Sequence, residues 1–151
     1  MSALTVGACS SVEITLPPAE VIEEITFHPS LDVNLAAMDP VEVAGYIMYV
    51  EVLEEGDGEV AEEGNTVNVS FDGFLATRGN QFVLEQGVAI ILGVGEIPFG
   101  LDQAIRGMMP GGQRRVVIPP ELGYGPASNG NVPGGSVLVY ELELNDVFSN
   151  Q

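Results

Sequence analysis

The sequence predicts an α+β domain in which a curved antiparallel β-sheet, a half-barrel, wraps around one short α-helix. Three observations carry that expectation. Short apolar runs, several alternating with period 2, recur from Tyr46 to Leu144 and are set apart by glycine and proline. Only the segment after Pro98 has helical spacing, with Leu101 and Ile105 four residues apart on one face. A helix of about two to three turns cannot stand alone, so it must lie on the strands around it.

Tyr46 to Leu53 reads as the first strand, rich in β-branched and aromatic residues. Glu54 to Gly64 is an acidic, glycine-bearing loop. Its oxygen-rich makeup invites a calcium ion, but the alternating Asp/Asn ligands of an EF-hand loop are missing, so a solvated turn is expected. Thr66 to Phe71 places Val67, Val69 and Phe71 on one face, as in a half-buried antiparallel strand. Asp72-Gly73 is expected to bulge it. Arg78-Gly79-Asn80 turns the chain, Gln81 to Leu84 is short and extended, and Val88 to Leu92 is a separate strand. Pro98 suits a first helical turn, where its missing N–H costs nothing. Asp102 suits the helix start and Gly107 the stop. Gln113 to Ile118 is a strand ended by Pro119-Pro120. The last run puts Leu138, Tyr140, Leu142 and Leu144 on one face.

A length of 151 residues allows one domain, or one domain and a tail, with a real core. No run approaches the length of a membrane-spanning helix. The net charge is −18, from 22 acidic residues against four arginines and no lysine. Such a polyanion repels nucleic acid, so no DNA or RNA partner is expected. The acid excess fits a salty habitat, but charged residues make up only 17% of the chain. The expectation is a solvated acidic surface that keeps the protein soluble and monomeric. One cysteine excludes an internal disulfide and a multi-cysteine zinc site. His28 stands alone and reads as an exposed loop residue. No metal and no cofactor are expected, and no Gly-x-Ser-x-Gly elbow or triad is present.

Residues 1 to 44 lack sustained periodicity and are interrupted by Pro17-Pro18, Pro29 and Pro40, which predicts an extended or partly ordered leader. Within it, Leu4-Thr5-Val6-Gly7-Ala8-Cys9-Ser10-Ser11 resembles the lipobox of bacterial lipoproteins, where the cysteine becomes the acylated N-terminus. The stretch before Cys9 has no basic residue and is too short for a full signal peptide. Either the start is truncated or Cys9 is an ordinary thiol. If the lipobox is real, Cys9 is the lipidation site, the leader is a tether, and the protein sits in the bacterial cell envelope, in the periplasm or on the outer membrane. If not, it is cytoplasmic. The expected organisation is leader 1–44, domain 45–148 and a short tail 149–151, with the domain from residue 45 folding on its own.

The segments Gly56-x-Gly58, Val67-x-Val69-x-Phe71-x-Gly73-x-Leu75, Leu92-Gly93-x-Gly95-Glu96-Ile97-Pro98, Met109-x-x-Gly112-x-x-Arg115, Ile118-Pro119-Pro120-x-Leu122-x-Tyr124-Gly125 and Leu138-x-Tyr140-x-Leu142-x-Leu144 occur in one order. In that order and spacing, residues 45 to 148 resemble an FKBP-type peptidyl-prolyl cis-trans isomerase domain.

The resemblance implies rotation about X-Pro bonds, whose barrier of about 18–20 kcal/mol comes from amide resonance. No nucleophile is needed, because an apolar pocket that binds the twisted amide better than the planar one lowers the barrier. It also implies a pocket floor at Leu101 and walls of Phe71, Phe82, Val83, Val88, Ile97, Val132 and Tyr140. The Ile97 N–H and Tyr124 hydroxyl would hold substrate carbonyls, so Tyr124, Ile97 and Phe82 are the expected catalytic residues. The expected partners are proline-containing segments and macrolide-type ligands. Three positions depart from the family: Phe71 stands for a tyrosine, Val83 for an aspartate and Val88 for an aromatic residue. They make the rim greasy and leave a second reading open, a non-catalytic or weakly catalytic module that binds proline-containing or apolar segments. The loop from Pro126 to Pro133 should overhang the pocket and, being rich in Gly and Asn, be mobile.

Overall fold

Strand residues alternate between two faces, and in this chain both faces carry apolar side chains. Strand β5 (Gln113–Ile118) sends Val116 and Ile118 to one core cluster and Val117 to another. Strand β6 (Leu138–Phe148) likewise divides Leu138, Tyr140, Leu142 and Leu144 from Val139. A sheet with two apolar faces needs a cover on each.

The computed structural model describes residues 18–149. Its sheet adds β1 (Asp39–Val43), β2 (Tyr46–Glu54), β3 (Thr66–Leu75) and β4 (Gln81–Ile91). The six strands lie in the order β1-β2-β5-β6-β3-β4, antiparallel throughout. Helix α1 (Phe99–Ile105) covers one face through Leu101, Ala104 and Ile105. Pro98 caps it from outside, and Gly107, at φ +85°, turns the chain away from its end. Arg114 Nη1 donates to the carbonyls of Ala104 (2.9 Å) and Arg106 (3.3 Å), satisfying groups that a helix end leaves open.

The opposite face is covered by residues expected to form the leader. Ile22, Leu31 and Met38 are buried against Ala76, Val117, Val137 and Val139. Residues 39–43 then pair with β2, from Asp39 opposite Val50 to Val43 opposite Tyr46. From about residue 20 onward the segment is therefore part of the fold and not an extended tether. Its apolar residues lack regular spacing because two 3-10 turns, Pro29–Leu31 and Leu35–Ala37, bring them to the sheet. His28 is exposed, but its Nδ1 accepts from the Ser30 N–H and caps the first of those turns. Glu20 fastens the start of the strap: its N–H donates to Gly135 O at 2.8 Å, and its carboxylate accepts from the Val137 N–H at 2.9 Å.

A second difference concerns Gln81–Leu84 and Val88–Leu92, which join into the single strand β4. The register against β3 shifts between Val69 and Phe71, and Gly87, at φ +63°, absorbs the extra residue. The Gly87 N–H donates to Ser70 Oγ instead of to the ladder.

Candidate functional site

At the β3–β4 edge of the sheet, the loop before α1 and the loop carrying Tyr124 leave a cleft of about 400 Å³. It is lined by Phe71, Val83, Glu85, Val88, Ala89, Ile90, Glu96, Ile97, Pro98, Tyr124 and Tyr140. Tyr140 is held edge-on to two rings, Phe71 (centroids 6.1 Å apart, planes at 70°) and Phe82 (5.7 Å, 81°). Phe82 in turn meets the Tyr124 ring at 6.2 Å and 80°.

Gly73 makes that crowding possible. It lies on β3 between Val83 of β4 and Tyr140 of β6. A Cβ there would come within 2.7 Å of Phe82 Cζ and Val83 Cγ1 and 2.8 Å of Tyr140 Cε1. The bulge expected at Asp72-Gly73 does occur as a register shift between Gly73 and Phe74. The glycine's larger effect is the close approach of three side chains at the wall of the cleft.

Polar groups are few. Among the described residues the Ile97 N–H has no acceptor, and Pro98 has no N–H to offer. The Tyr124 hydroxyl sits at the cleft on a turn that the Gly125 N–H closes by donating to Pro120 O at 2.8 Å. Glu96 accepts from the Ile91 N–H at 2.9 Å, which holds its side chain along the strand. Burial first, then the neighbouring Tyr124, pushes the Tyr140 phenol well above the ordinary tyrosine range. Tyr124 is thus near enough to act on Tyr140 both through its charge and as a hydrogen-bonding neighbour, yet the Tyr140 hydroxyl is left without a well-formed hydrogen bond. Among the described residues no group of three or more His, Cys, Asp or Glu side chains could hold a metal ion.

Of the residues expected at the site, Phe71, Val83, Val88, Ile97, Tyr124 and Tyr140 line the cleft together. Phe82 stands behind them as support for two of the rings. Leu101 is buried in the core with α1 and is not among the side chains that line the cleft, whereas the equally buried Tyr140 is. Val132 is likewise buried in that core and does not line the cleft. Its loop, expected to be mobile, is pinched by reciprocal Asn129–Val132 hydrogen bonds of 2.9 Å each and by Ser136 Oγ donating to Pro133 O at 2.6 Å. Gly73, Ala89, Ile90, Glu85, Glu96 and Pro98 went unassigned from sequence. Only Gly73 had a usable signal, a glycine inside a strand. Cys9 lies outside the described residues.

A profile of the FKBP-type peptidyl-prolyl cis-trans isomerase family matches residues 58–145. An FK506-binding protein of Neisseria meningitidis serogroup B is 36% identical over 106 residues, which cover 67% of this chain and 96% of that protein. The peptidyl-prolyl cis-trans isomerase FKBP15-3 of Arabidopsis thaliana is 35% identical over 129 residues, 83% of this chain and 87% of its own length. Among solved structures, FkpA from Escherichia coli aligns with a TM-score of 0.65 at 28% identity, covering 74% of this chain and 52% of that one. AtFKBP13 aligns with a TM-score of 0.59 at 29% identity, covering 64% and 90%. The order of strands around one short helix, the cleft at its entrance and these relatives agree: the chain belongs to the FKBP-type peptidyl-prolyl cis-trans isomerases.

Proposed function

We propose that the cleft between Val83, Val88, Ile97, Tyr124 and Tyr140 is where this chain rotates X-Pro bonds and so assists protein folding. The observation that carries the reading is a largely apolar cleft lined by Ile97 and Tyr124, where among the described residues the Ile97 N–H has no acceptor. A planar amide draws on resonance charge that water stabilises. The twisted amide is less polar, so a water-poor cleft favours it relative to the planar form. The two donors fix the flanking carbonyls, and Phe82 keeps Tyr124 and Tyr140 in place.

The substrates are proline-containing segments, and macrolides of the FK506 kind are candidate competitors for the same cleft. The protein acts as a monomer. We also place it in the bacterial cell envelope, attached through lipidated Cys9, on the strength of the small-residue run before that cysteine and the serines after it. Intact-mass analysis of the native protein extracted from membranes should find a diacylglyceryl adduct on Cys9. An unmodified form retaining Met1 would defeat the anchor.

A protease-coupled isomerisation assay on a proline tetrapeptide tests the site. The wild-type protein should accelerate the slow phase, and Val83→Trp, which puts an indole into the cleft wall, should abolish that acceleration while leaving the circular dichroism spectrum intact. Full activity in Val83→Trp would move the chemistry elsewhere. Tight peptide binding without acceleration in the wild type would favour the binding-module reading suggested by the apolar rim of Phe71, Val83 and Val88. The rate should also be flat between about pH 5.5 and 8.5, since tyrosines and carboxylates do not ordinarily titrate there.

A further inference from the structure

Tyr140 Oη is the one buried side-chain polar atom without a hydrogen-bond partner among the described residues. The residue is 0% exposed and could be filled by phenylalanine without changing the ring contacts to Phe71 and Phe82. A buried hydroxyl with no partner is costly, so its retention needs a reason. The polar group that acts on it is the Tyr124 hydroxyl, at the cleft.

The ligand's chemistry supplies the reason. Proline has no N–H, so the X-Pro imide that rotates offers a hydrogen-bonding side chain only its carbonyl oxygen, an acceptor. Tyr124 must therefore donate, and a hydroxyl has one proton whose direction depends on what the oxygen itself accepts. We propose that Tyr140 is a positioning residue for prolyl isomerisation: its O–H donates to the Tyr124 oxygen when a peptide fills the cleft, which directs the Tyr124 proton to the substrate carbonyl. A hydroxyl that accepts one hydrogen bond is polarised into a better donor of the next. The Tyr140 phenol stays protonated across the physiological range, because burial raises its pKa. The free protein thus holds the Tyr140–Tyr124 contact short of a well-formed bond, and substrate binding tightens it into a chain of two. The proposal rests on the cleft being the isomerase site.

The test is a double-mutant cycle on kcat/KM, with a proline tetrapeptide as substrate and thermal melts run alongside. Tyr140→Phe should lower kcat/KM about tenfold while leaving the melting temperature unchanged or raised. Tyr124→Phe should lower kcat/KM at least as much. In the Tyr124→Phe background, adding Tyr140→Phe should cost nothing further. Wild-type kcat/KM in Tyr140→Phe would make the hydroxyl merely structural and overturn the inference. Equal losses in both backgrounds would mean that Tyr140 acts independently of Tyr124, and would overturn it too. Val83→Trp separates the two levels. If it keeps full activity, the cleft reading itself fails; if it is dead while Tyr140→Phe is normal, only the inference fails.

Discussion

Gly73 shows how much one missing methyl can matter. Its place between β4 and β6 lets Phe82, Val83 and Tyr140 converge at the wall of the cleft, so Gly73→Ala should overpack the site and destabilise the fold by about 1–3 kcal/mol. Because the displaced side chains support the cleft, kcat/KM should fall along with the denaturation midpoint. A variant with normal activity would show that these rings can shift without harm. Phe71 and Val83 line the same cleft, which invites a double-mutant cycle. Val83→Asp alone puts a carboxylate in an apolar wall, Phe71→Tyr alone adds an unpaired hydroxyl, and the double variant should be more stable than additivity predicts by about 0.5–3 kcal/mol. Additive melts would mean that the two new groups do not meet. Tyr140 also has a signature in alkali. Its phenol titrates higher when folded than the ordinary value near 10, so this contribution to stability is complete below about pH 10 and is lost as pH rises beyond it. Tyr49, whose hydroxyl bonds Glu23 at 2.8 Å, acts with the same sign. Tyr140→Phe should therefore unfold at higher pH than the wild type in an alkaline titration followed by far-ultraviolet circular dichroism.

At the scale of elements, the strap from Glu20 to Val43 decides how the molecule may be trimmed. Ile22, Leu31 and Met38 are buried on the face of the sheet away from α1, and each such side chain contributes about 1.5–3 kcal/mol. A chain beginning at Gly45 also loses β1 and bares Val117, Val137 and Val139. It should melt much lower than one beginning at Pro18 and give poorly dispersed amide spectra, contrary to what the periodic segments alone suggest. Well-dispersed spectra from the shorter chain would show that the helix-side core suffices. The same locality explains which elements can be read from residues. β5 and α1 announce themselves through near neighbours, Gln113 to Ile118 and Leu101 with Ile105. The joining of 81–84 with 88–91 depends on Ser70 accepting from Gly87, a partner 17 residues away.

Over the whole molecule, acidic charge dominates. Three of the four arginines are engaged: Arg106 with Asp102 (2.8 Å) and Glu63 (3.3 Å), Arg114 at the end of α1, and Arg115 with Glu141 (3.0 Å) and Glu51 (3.5 Å). A net charge of −18 leaves far more repulsion than these pairs can balance. Screening that repulsion should stabilise the fold, so the melting temperature measured by calorimetry should rise between about 0.01 and 1 M sodium chloride, where the Debye length falls from about 30 to 3 Å. A falling midpoint would show that the arginine pairs outweigh the repulsion.

The sequence by itself determined the class of fold, most of the strands, the single helix and the family, because glycine, proline and period-2 alternation act over a few neighbouring residues. It also pointed to Ile97 and Tyr124, since the motifs around them are contiguous. Only the tertiary structure decided that Leu101 packs in the core while Tyr140 lines the cleft, that residues 20–43 cover the sheet, and that one buried hydroxyl lies without a well-formed bond beside Tyr124. Each of these depends on which residues far apart in the chain share a register or a face: Gly73 against Tyr140, Val117 against Leu31, Glu20 against Val137. Burial is a property of such meetings, and no local pattern encodes it.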